Sequence, residues 1–221
     1  MRAFAIVCCA LLAAAAQAAN DKDSNTKSKT SDKSPTQVAT YVPPASIGAP
    51  HGRLSGGATR AARVPGPTLY SLVPEHTGQT VSAQPSLFWY VDTLPAEDMP
   101  VVFTLTNESK IDPIAEIELD RLGQVGIQRF DLARHEIRLE PSTEYEWTIA
   151  VVVDPKHRAN DVITAGWIVV VDEPPGLEPN ARSYAANGLW YDALAAASDD
   201  FRNDLLREVG LEKILSGPIK D

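Results

Sequence analysis

The chain has 221 residues with 29 acidic and 20 basic side chains, and its formal net charge is −9 at neutral pH. The charge is uneven, because residues 67–172 hold seventeen acids against seven bases, whereas residues 19–66 hold three acids against seven bases. Binding to nucleic acid and to anionic membranes rests on basic patches, so the acidity of residues 67–172 excludes nucleic acid as the expected partner.

The first eighteen residues are typical of a cleavable secretory signal peptide. Arg2 supplies the positive start, residues 3–16 form an unbroken apolar run, and Ala16-Gln17-Ala18 matches the small-residue cleavage pattern. The run is too short for a membrane anchor, which needs about 20 apolar residues. We therefore expect cleavage between Ala18 and Ala19, export, and no membrane insertion of the mature chain.

Both cysteines, Cys8 and Cys9, lie inside that apolar run. The mature chain is therefore expected to contain no disulfide, although an exported compartment would permit one. Secreted eukaryotic domains of this size more often carry disulfides, so the pattern favours a bacterial periplasm or cell surface.

Residues 19–66 are predicted to be a disordered linker. Residues 20–37 are almost wholly Lys, Asp, Ser, Thr and Asn, which bury too little apolar surface to offset the entropy of ordering. The linker ends in a Gly/Arg segment, Gly52–Arg60, whose spacing does not match a phosphate-binding loop. We interpret this segment as a flexible entry into the domain that follows.

Residues 67–172 are predicted to form a β-sandwich domain. Short runs rich in β-branched and aromatic residues are separated by Pro, Gly, Asp and Asn, which is typical of strands. The predicted strands are Thr68–Val73, Ser86–Val91, Val101–Asn107, Ala115–Leu119, Gly126–Leu132, Glu144–Val153 and Gly166–Val171. Such a series without intervening helices favours a mainly β, immunoglobulin or fibronectin III-like two-sheet sandwich.

The predicted structural core of this sandwich centres on four aromatic residues, Trp89, Tyr145, Trp147 and Trp167. The segment Leu139–Trp147 resembles the approach to a long strand in fibronectin type III-like sandwiches. In those sandwiches a tyrosine hydroxyl bonds to backbone a few residues upstream, and the resemblance implies this role for Tyr145.

Residues 173–221 are predicted to form a short α-helical hairpin. Apolar residues recur three or four apart, first from Tyr184 to Ala195 and then from Phe201 to Val209, before a stop at Gly210. We expect the apolar side to pack on the sandwich, because a large exposed patch is uncommon in a soluble monomer. The alternative is a partner-binding surface made of Tyr184, Leu189, Trp190 and Tyr191.

Several segments of the chain resemble a bacterial family known as domain of unknown function 928. They are Gly52–Arg60, Leu69–Pro74, Pro85–Tyr90, Leu139–Trp147, Ala165–Ile168 and Tyr184–Leu194. The chain departs from the family at Leu54-Ser55, where a valine and a third glycine are expected. The resemblance implies the fold and export, and it implies no catalytic residues because the family has no assigned activity.

The sequence contains no pattern that calls for catalysis, a metal or a cofactor. Its four histidines, His51, His76, His135 and His157, are too scattered to form a metal site. Glu116 and Glu118 lie about 7 Å apart if they alternate on a strand, which suits a pair of glycosidase carboxylates. Many exposed strands share this spacing, so a solvated sheet face is the favoured interpretation.

These observations favour an exported, non-catalytic protein that binds an unknown envelope protein. Binding would use strand addition at an open sandwich edge or the aromatic helix near Trp190. Two alternatives stay open at this point, a carbohydrate-binding module that uses the tryptophans and an envelope hydrolase that acts on glycan or peptide. The oligomeric state also stays open.

Overall fold

A computed structural model describes residues 41–45 and 66–215. In this part of the chain, eight strands are followed by four short helices. The strands are β1 Leu69–Ser71, β2 Gly78–Thr80, β3 Ser86–Val91, β4 Val101–Thr106, β5 Ala115–Glu118, β6 Gly126–Asp131, β7 Glu144–Val151 and β8 Val162–Val170; the helices are α1 Ala181–Ala186, α2 Trp190–Ala196, α3 Asp199–Glu208 and α4 Glu212–Leu215.

The strands form two sheets that face each other. The larger sheet has the order β2-β8-β7-β4-β5 and the smaller has the order β1-β3-β6. All neighbouring strands are antiparallel except β2, which runs parallel to β8. The prediction of a mainly β, two-sheet sandwich followed by helices is confirmed.

The two sheets meet through alternating apolar side chains. On β4, Val101, Phe103 and Leu105 are buried while the intervening residues are half-exposed, as a strand with one core-facing side requires. The Phe103 ring stacks on Phe130 of β6 with 4.2 Å between ring centroids. This contact joins the larger sheet to the smaller one.

Tyr145 makes the local hydrogen bond that the sequence resemblance implies. The ring is 4% exposed, and the hydroxyl oxygen accepts a bond of 3.0 Å from the backbone N–H of Glu140, five residues upstream. The parallel β2–β8 pair departs from the wholly antiparallel pattern of immunoglobulin-type sheets. The wider resemblance to fibronectin type III-like sandwiches is therefore not confirmed.

Trp167 differs from the expectation of a core position. Strand β8 begins at Val162, and its even-numbered residues face the smaller sheet, where Gly166 lies opposite Trp147. A Cβ atom on Gly166 would come within 2.7 Å of the Trp147 ring, so the missing side chain makes room for that ring. Because strand side chains alternate, Trp167 lies on the outer face and is only half-buried.

The carboxyl-terminal region contains four helices where the sequence predicted a two-helix hairpin. The first predicted helix is divided between α1 and α2 at Gly188, which has a φ of 75° that favours glycine. Asn180 and Ser198 cap α1 and α3, because their side-chain oxygens accept bonds from the third backbone N–H that follows. No helix in the described ranges combines the length and apolar character needed to span a bilayer.

Residues 41–45, here called the Tyr41 segment, differ from the predicted disordered linker. Tyr41 is 8% exposed and meets the Trp190 ring edge-on, with centroids 5.0 Å apart. Its hydroxyl lies 3.2 Å from Nε2 of His76, and the N–H of Val42 donates to the Ala185 carbonyl at 3.1 Å. Burial of one aromatic ring and these bonds hold the segment, which composition alone did not predict.

One apolar core runs from the sandwich into the helices. The indole N–H of Trp190 donates to the Leu72 carbonyl at 2.9 Å. The indole N–H of Trp147 donates to the Tyr191 hydroxyl at 2.9 Å, and that hydroxyl donates to the Trp167 carbonyl.

The predicted signal peptide, the Ala18–Ala19 cleavage site and Gly52–Arg60 lie outside the described residues.

Candidate functional site

The aromatic residues considered for partner binding are mostly inside the protein. Leu189 and Trp190 are 0% exposed, Tyr191 is 1% exposed and Tyr184 is half-buried. Their apolar side packs on the sandwich because α2 lies against β2 and β3. Leu189, Trp190 and Tyr191 therefore cannot form the accessible surface that the alternative interpretation required.

The tryptophans considered for carbohydrate binding are also largely enclosed. Trp89, Trp147 and Trp190 are at most 2% exposed, so a glycan cannot stack on their rings without unfolding the core. Only Trp167 of the four reaches the surface, and it is half-buried. The four residues do not converge on one binding face.

Glu116 and Glu118 lie on β5 with their side chains exposed on the outer face of the larger sheet. Their neighbours across β4 are Thr104 and Val102. A glycosidase acid needs an environment that raises its pKa, usually a partly apolar cleft. The side chains of Glu116 and Glu118 are instead exposed to solvent on the face of the sheet.

The backbone of β5 forms an open edge of the larger sheet. The N–H of Leu119 donates to the Val101 carbonyl at 2.7 Å, which sets the alternation of bonded and non-bonded pairs along β4 and β5. Residues 115, 117 and 119 therefore direct their backbone groups towards β4. Glu116 and Glu118 direct theirs away from the sheet.

No described residue bonds to those outward backbone groups of Glu116 and Glu118. The surrounding stretch is acidic, since residues 108–121 contain five acids and two bases. Ile111, in the loop before β5, is fully exposed. We call residues 115–118 with their outward backbone groups the β5 edge, and it can accept an additional strand.

Within residues 41–45 and 66–215, β6 is likewise the last strand at one edge of the smaller sheet. The N–H of Leu132 donates to the Pro85 carbonyl at 3.1 Å, so by the same alternation Ile127 and Arg129 direct their backbone groups outward. The Arg129 side chain pairs with Asp131 and lies over the Phe88 ring. This edge is therefore less acidic than the β5 edge.

A cleft of about 280 Å³ lies between the turn that joins β2 to β3 and the helices α1 and α2. The lining residues with polar side chains are Ser82, Gln84, Ser86, Tyr184, Tyr191 and Asp192. We call it the Asp192 cleft. Its two walls are more than 90 residues apart in the chain, so no local sequence pattern predicts the cleft.

Asp192 joins the two walls of this cleft. Its Oδ2 atom accepts a bond of 3.1 Å from the N–H of Val81. Burial raises the pKa of Asp192, although bonds from the Thr80 side chain and the Val81 amide oppose the shift. No cluster of three or more His, Cys, Asp and Glu side chains within residues 41–45 and 66–215 could hold a metal ion.

Replacing Asp192 with asparagine should change how stability depends on pH. The folded-state pKa is raised above the ordinary 3.8, so the aspartate's contribution to the free energy of unfolding is fully present below that value. It is lost as pH rises through the raised pKa. Asparagine does not titrate, and its amide oxygen can still accept the bond from Val81.

Urea unfolding of both proteins between about pH 3 and pH 7 measures this effect. The wild type should lose stability relative to Asp192→Asn as the pH rises. The same substitution at Asp200, an exposed residue of α3, is the control for the loss of one surface carboxylate. A constant difference between wild type and Asp192→Asn would contradict the prediction.

Comparison with known proteins identifies one family. A family model described as "Domain of Unknown Function (DUF928)" matches residues 55–219. No curated protein matches the chain. The crystal structure of an engineered protein is similar over 47% of this chain and 20% of its own length, with 11% identity and a TM-score of 0.32. This chain thus covers about a fifth of that protein's length.

Proposed function

We propose that this chain, which belongs to the family Domain of Unknown Function 928, is an exported, non-catalytic protein that binds a partner protein in the bacterial envelope. The observation that carries the proposal is the open β5 edge, where Glu116 and Glu118 direct backbone donors and acceptors away from the sheet. Export is supported by the signal-peptide pattern of residues 1–18.

The β5 edge suits an extended peptide that pairs with it as a sixth strand. Two residues with outward backbone groups offer up to four hydrogen bonds, each with a net contribution of about 0.5–1.5 kcal/mol. Such bonds give a total of about 2–6 kcal/mol, which is less than a micromolar complex needs. Side-chain contacts must add the remainder.

The charge around the edge selects the kind of peptide. Residues 108–121 carry a net charge of −3, from five acids and two bases, and Arg121 already pairs with Glu97 at 2.8 Å. A basic extended segment would be attracted to this edge and bind faster than a neutral one. We therefore propose a partner that presents a strand with lysine or arginine residues.

The hydrolase and the tryptophan-based carbohydrate module lack a comparable supporting observation. Glu116 and Glu118 are exposed, and Trp89, Trp147 and Trp190 are buried. We accordingly favour protein binding over both alternatives.

Glu116→Pro should weaken partner binding without unfolding the protein. The substitution removes an outward N–H, and proline is tolerated on an edge strand where its missing N–H would have faced solvent. The test captures partners from envelope extract on the immobilised mature chain and then measures binding of the captured protein to each variant. Glu116→Pro should bind at least about tenfold more weakly than wild type, which corresponds to 1.4 kcal/mol.

Two controls make this test specific. Glu116→Ala keeps the N–H and should retain most binding, and Arg129→Pro places the same change at an outward position of the β6 edge. Hydrogen exchange should also show protection of the Glu116 and Glu118 amides in the complex. Undiminished binding by Glu116→Pro, or an absence of any captured protein, would count against the proposal.

A further inference from the structure

We propose that the Asp192 cleft binds a neutral, polyhydroxylated ligand about the size of one sugar residue. This inference goes beyond protein binding at the β5 edge and does not depend on it. It rests on the shape of the cleft and on the combination of hydrogen-bond donors and acceptors that line it.

The β2–β3 turn orients the first set of polar groups. The backbone N–H of Gln84 donates to Oγ of Ser82 at 3.2 Å, and the N–H of Ser82 donates to Oγ1 of Thr80 at 3.1 Å. The Ser82 hydroxyl therefore acts as an acceptor towards its own turn. Its hydrogen remains available as a donor to a ligand.

Ser86, by contrast, can accept a hydrogen bond from a ligand. Its hydroxyl donates to Oδ1 of Asp131 at 2.6 Å, so its oxygen lone pairs are left to accept. Asp192 provides further acceptors, because a carboxylate has about four acceptor sites and uses part of them for Thr80 and Val81. The Asp192 cleft thus combines donors with acceptors.

This combination selects the chemistry of the ligand. A hydroxyl group both donates and accepts, and it can pair with either kind of group in the cleft. An ammonium group or a metal ion needs acceptors only, and Asp192 is the one carboxylate among the lining residues. An anion would be repelled by that same carboxylate. A neutral polyol can form hydrogen bonds with Ser82, Ser86 and Asp192 alike.

The apolar part of the lining fits the ring of a sugar. The half-buried Tyr184 side chain, Pro85, Ala195 and Ala196 line the cleft beside its polar groups. Carbon–hydrogen faces of a sugar ring can pack on such a surface. The volume of about 280 Å³ is near the lower end of small-molecule sites, which start at about 300 Å³, so it suits one residue and not a chain.

The test uses the full mature chain labelled with ¹⁵N and titrated with glucose, galactose and N-acetylglucosamine. At least one sugar should shift the amide signals of Ser82, Gln84 and Asp192 at about 10 mM, which is ten times a Kd of 1 mM. Cyclohexanol tests binding through apolar packing alone, and putrescine tests binding of an ammonium group. Neither compound should shift these amide signals as much as the bound sugar does.

Two variants examine the residues that carry the proposal. Asp192→Asn should weaken sugar binding at least about tenfold, because bonds to a charged acceptor are roughly twice as strong as neutral ones. Ser82→Ala should weaken it as well and changes a residue outside the apolar core, which covers the case that Asp192→Asn fails to fold. Asp200→Asn is the matched control and should bind like the wild type.

Three results would overturn the proposal. The first is that none of the sugars shifts the signals of the cleft. The second is that Asp192→Asn and Ser82→Ala bind as tightly as the wild type. The third is that putrescine binds in preference to every sugar, which would make the cleft a cation site.

Discussion

Replacing Trp190 with alanine should lower the free energy of unfolding by about 3–5 kcal/mol, a large part of the stability of an ordinary domain. The side chain is 0% exposed and lies where the helices meet the sandwich. Alanine would leave a cavity, and it would also leave the Leu72 carbonyl without the bond of 2.9 Å that the indole N–H donates. The Tyr41 ring would lose its edge-on contact at the same time.

Urea unfolding monitored by circular dichroism measures this loss. The matched variant Trp190→Phe keeps an aromatic ring but removes the N–H, so it should lose less stability than Trp190→Ala. Its deficit should reflect the smaller ring and the unpaired carbonyl, which costs about 1–3 kcal/mol. A loss below about 1 kcal/mol for Trp190→Ala would show that the helices contribute little to the core.

A chain that ends at Asp172 should fail to fold into a cooperative structure. The truncation removes eight large apolar side chains that are buried in the shared core, namely Trp190, Tyr191, Leu194, Phe201, Leu205, Leu206, Leu211 and Ile214. Burial of one large apolar side chain contributes about 1.5–3 kcal/mol, so their sum exceeds the stability of a typical domain. The Trp147 indole would also lose its acceptor on Tyr191.

Thermal unfolding and binding of a hydrophobic dye test the truncation. The shortened chain should show no sharp transition and should bind the dye strongly, whereas the full mature chain should do the reverse. A cooperative transition within a few degrees of the full chain would show that the sandwich is independent of the helices. Partner-binding experiments should therefore use point variants and not helix deletions.

The sequence predicted seven of the eight strands because each of these seven has an apolar or alternating run of its own. It missed β2, whose Gly-Gln-Thr sequence has no such pattern and which pairs with β8 about 90 residues later. A strand of this kind is determined by its partner and not by its own side chains. The start of β8 was placed four residues late for a related reason, since Val162–Ala165 lacks clear alternation.

The position of Trp167 shows a second limit. A period of two predicts that alternate residues share a face, but it does not say which face is buried. The buried face of β8 is determined by the pairing of Gly166 with Trp147, which is a contact between two strands. The β5 edge shows the same limit. The sequence predicted the alternation at Glu116 and Glu118, but only the strand order shows that β5 lies at an edge of the sheet.

The Asp192 cleft could not be predicted from sequence because its walls come from distant segments. Ser82 lies in a turn of the sandwich and Asp192 lies on α2, about 110 residues later. Each residue alone is an ordinary polar side chain in a local pattern. Only the packing of α2 on β2 and β3 brings them to the same cavity.

The contacts of the Tyr41 segment determine how the folded body would respond to tension along the chain. A force transmitted from the amino-terminal side reaches Tyr41 before it reaches β1. There it meets the bond between the Tyr41 N–H and the Glu208 carboxylate, the bond from Val42 to Ala185 and the packing against Trp190. The helices would therefore bear the first mechanical load, and the sandwich strands would be shielded until those contacts break.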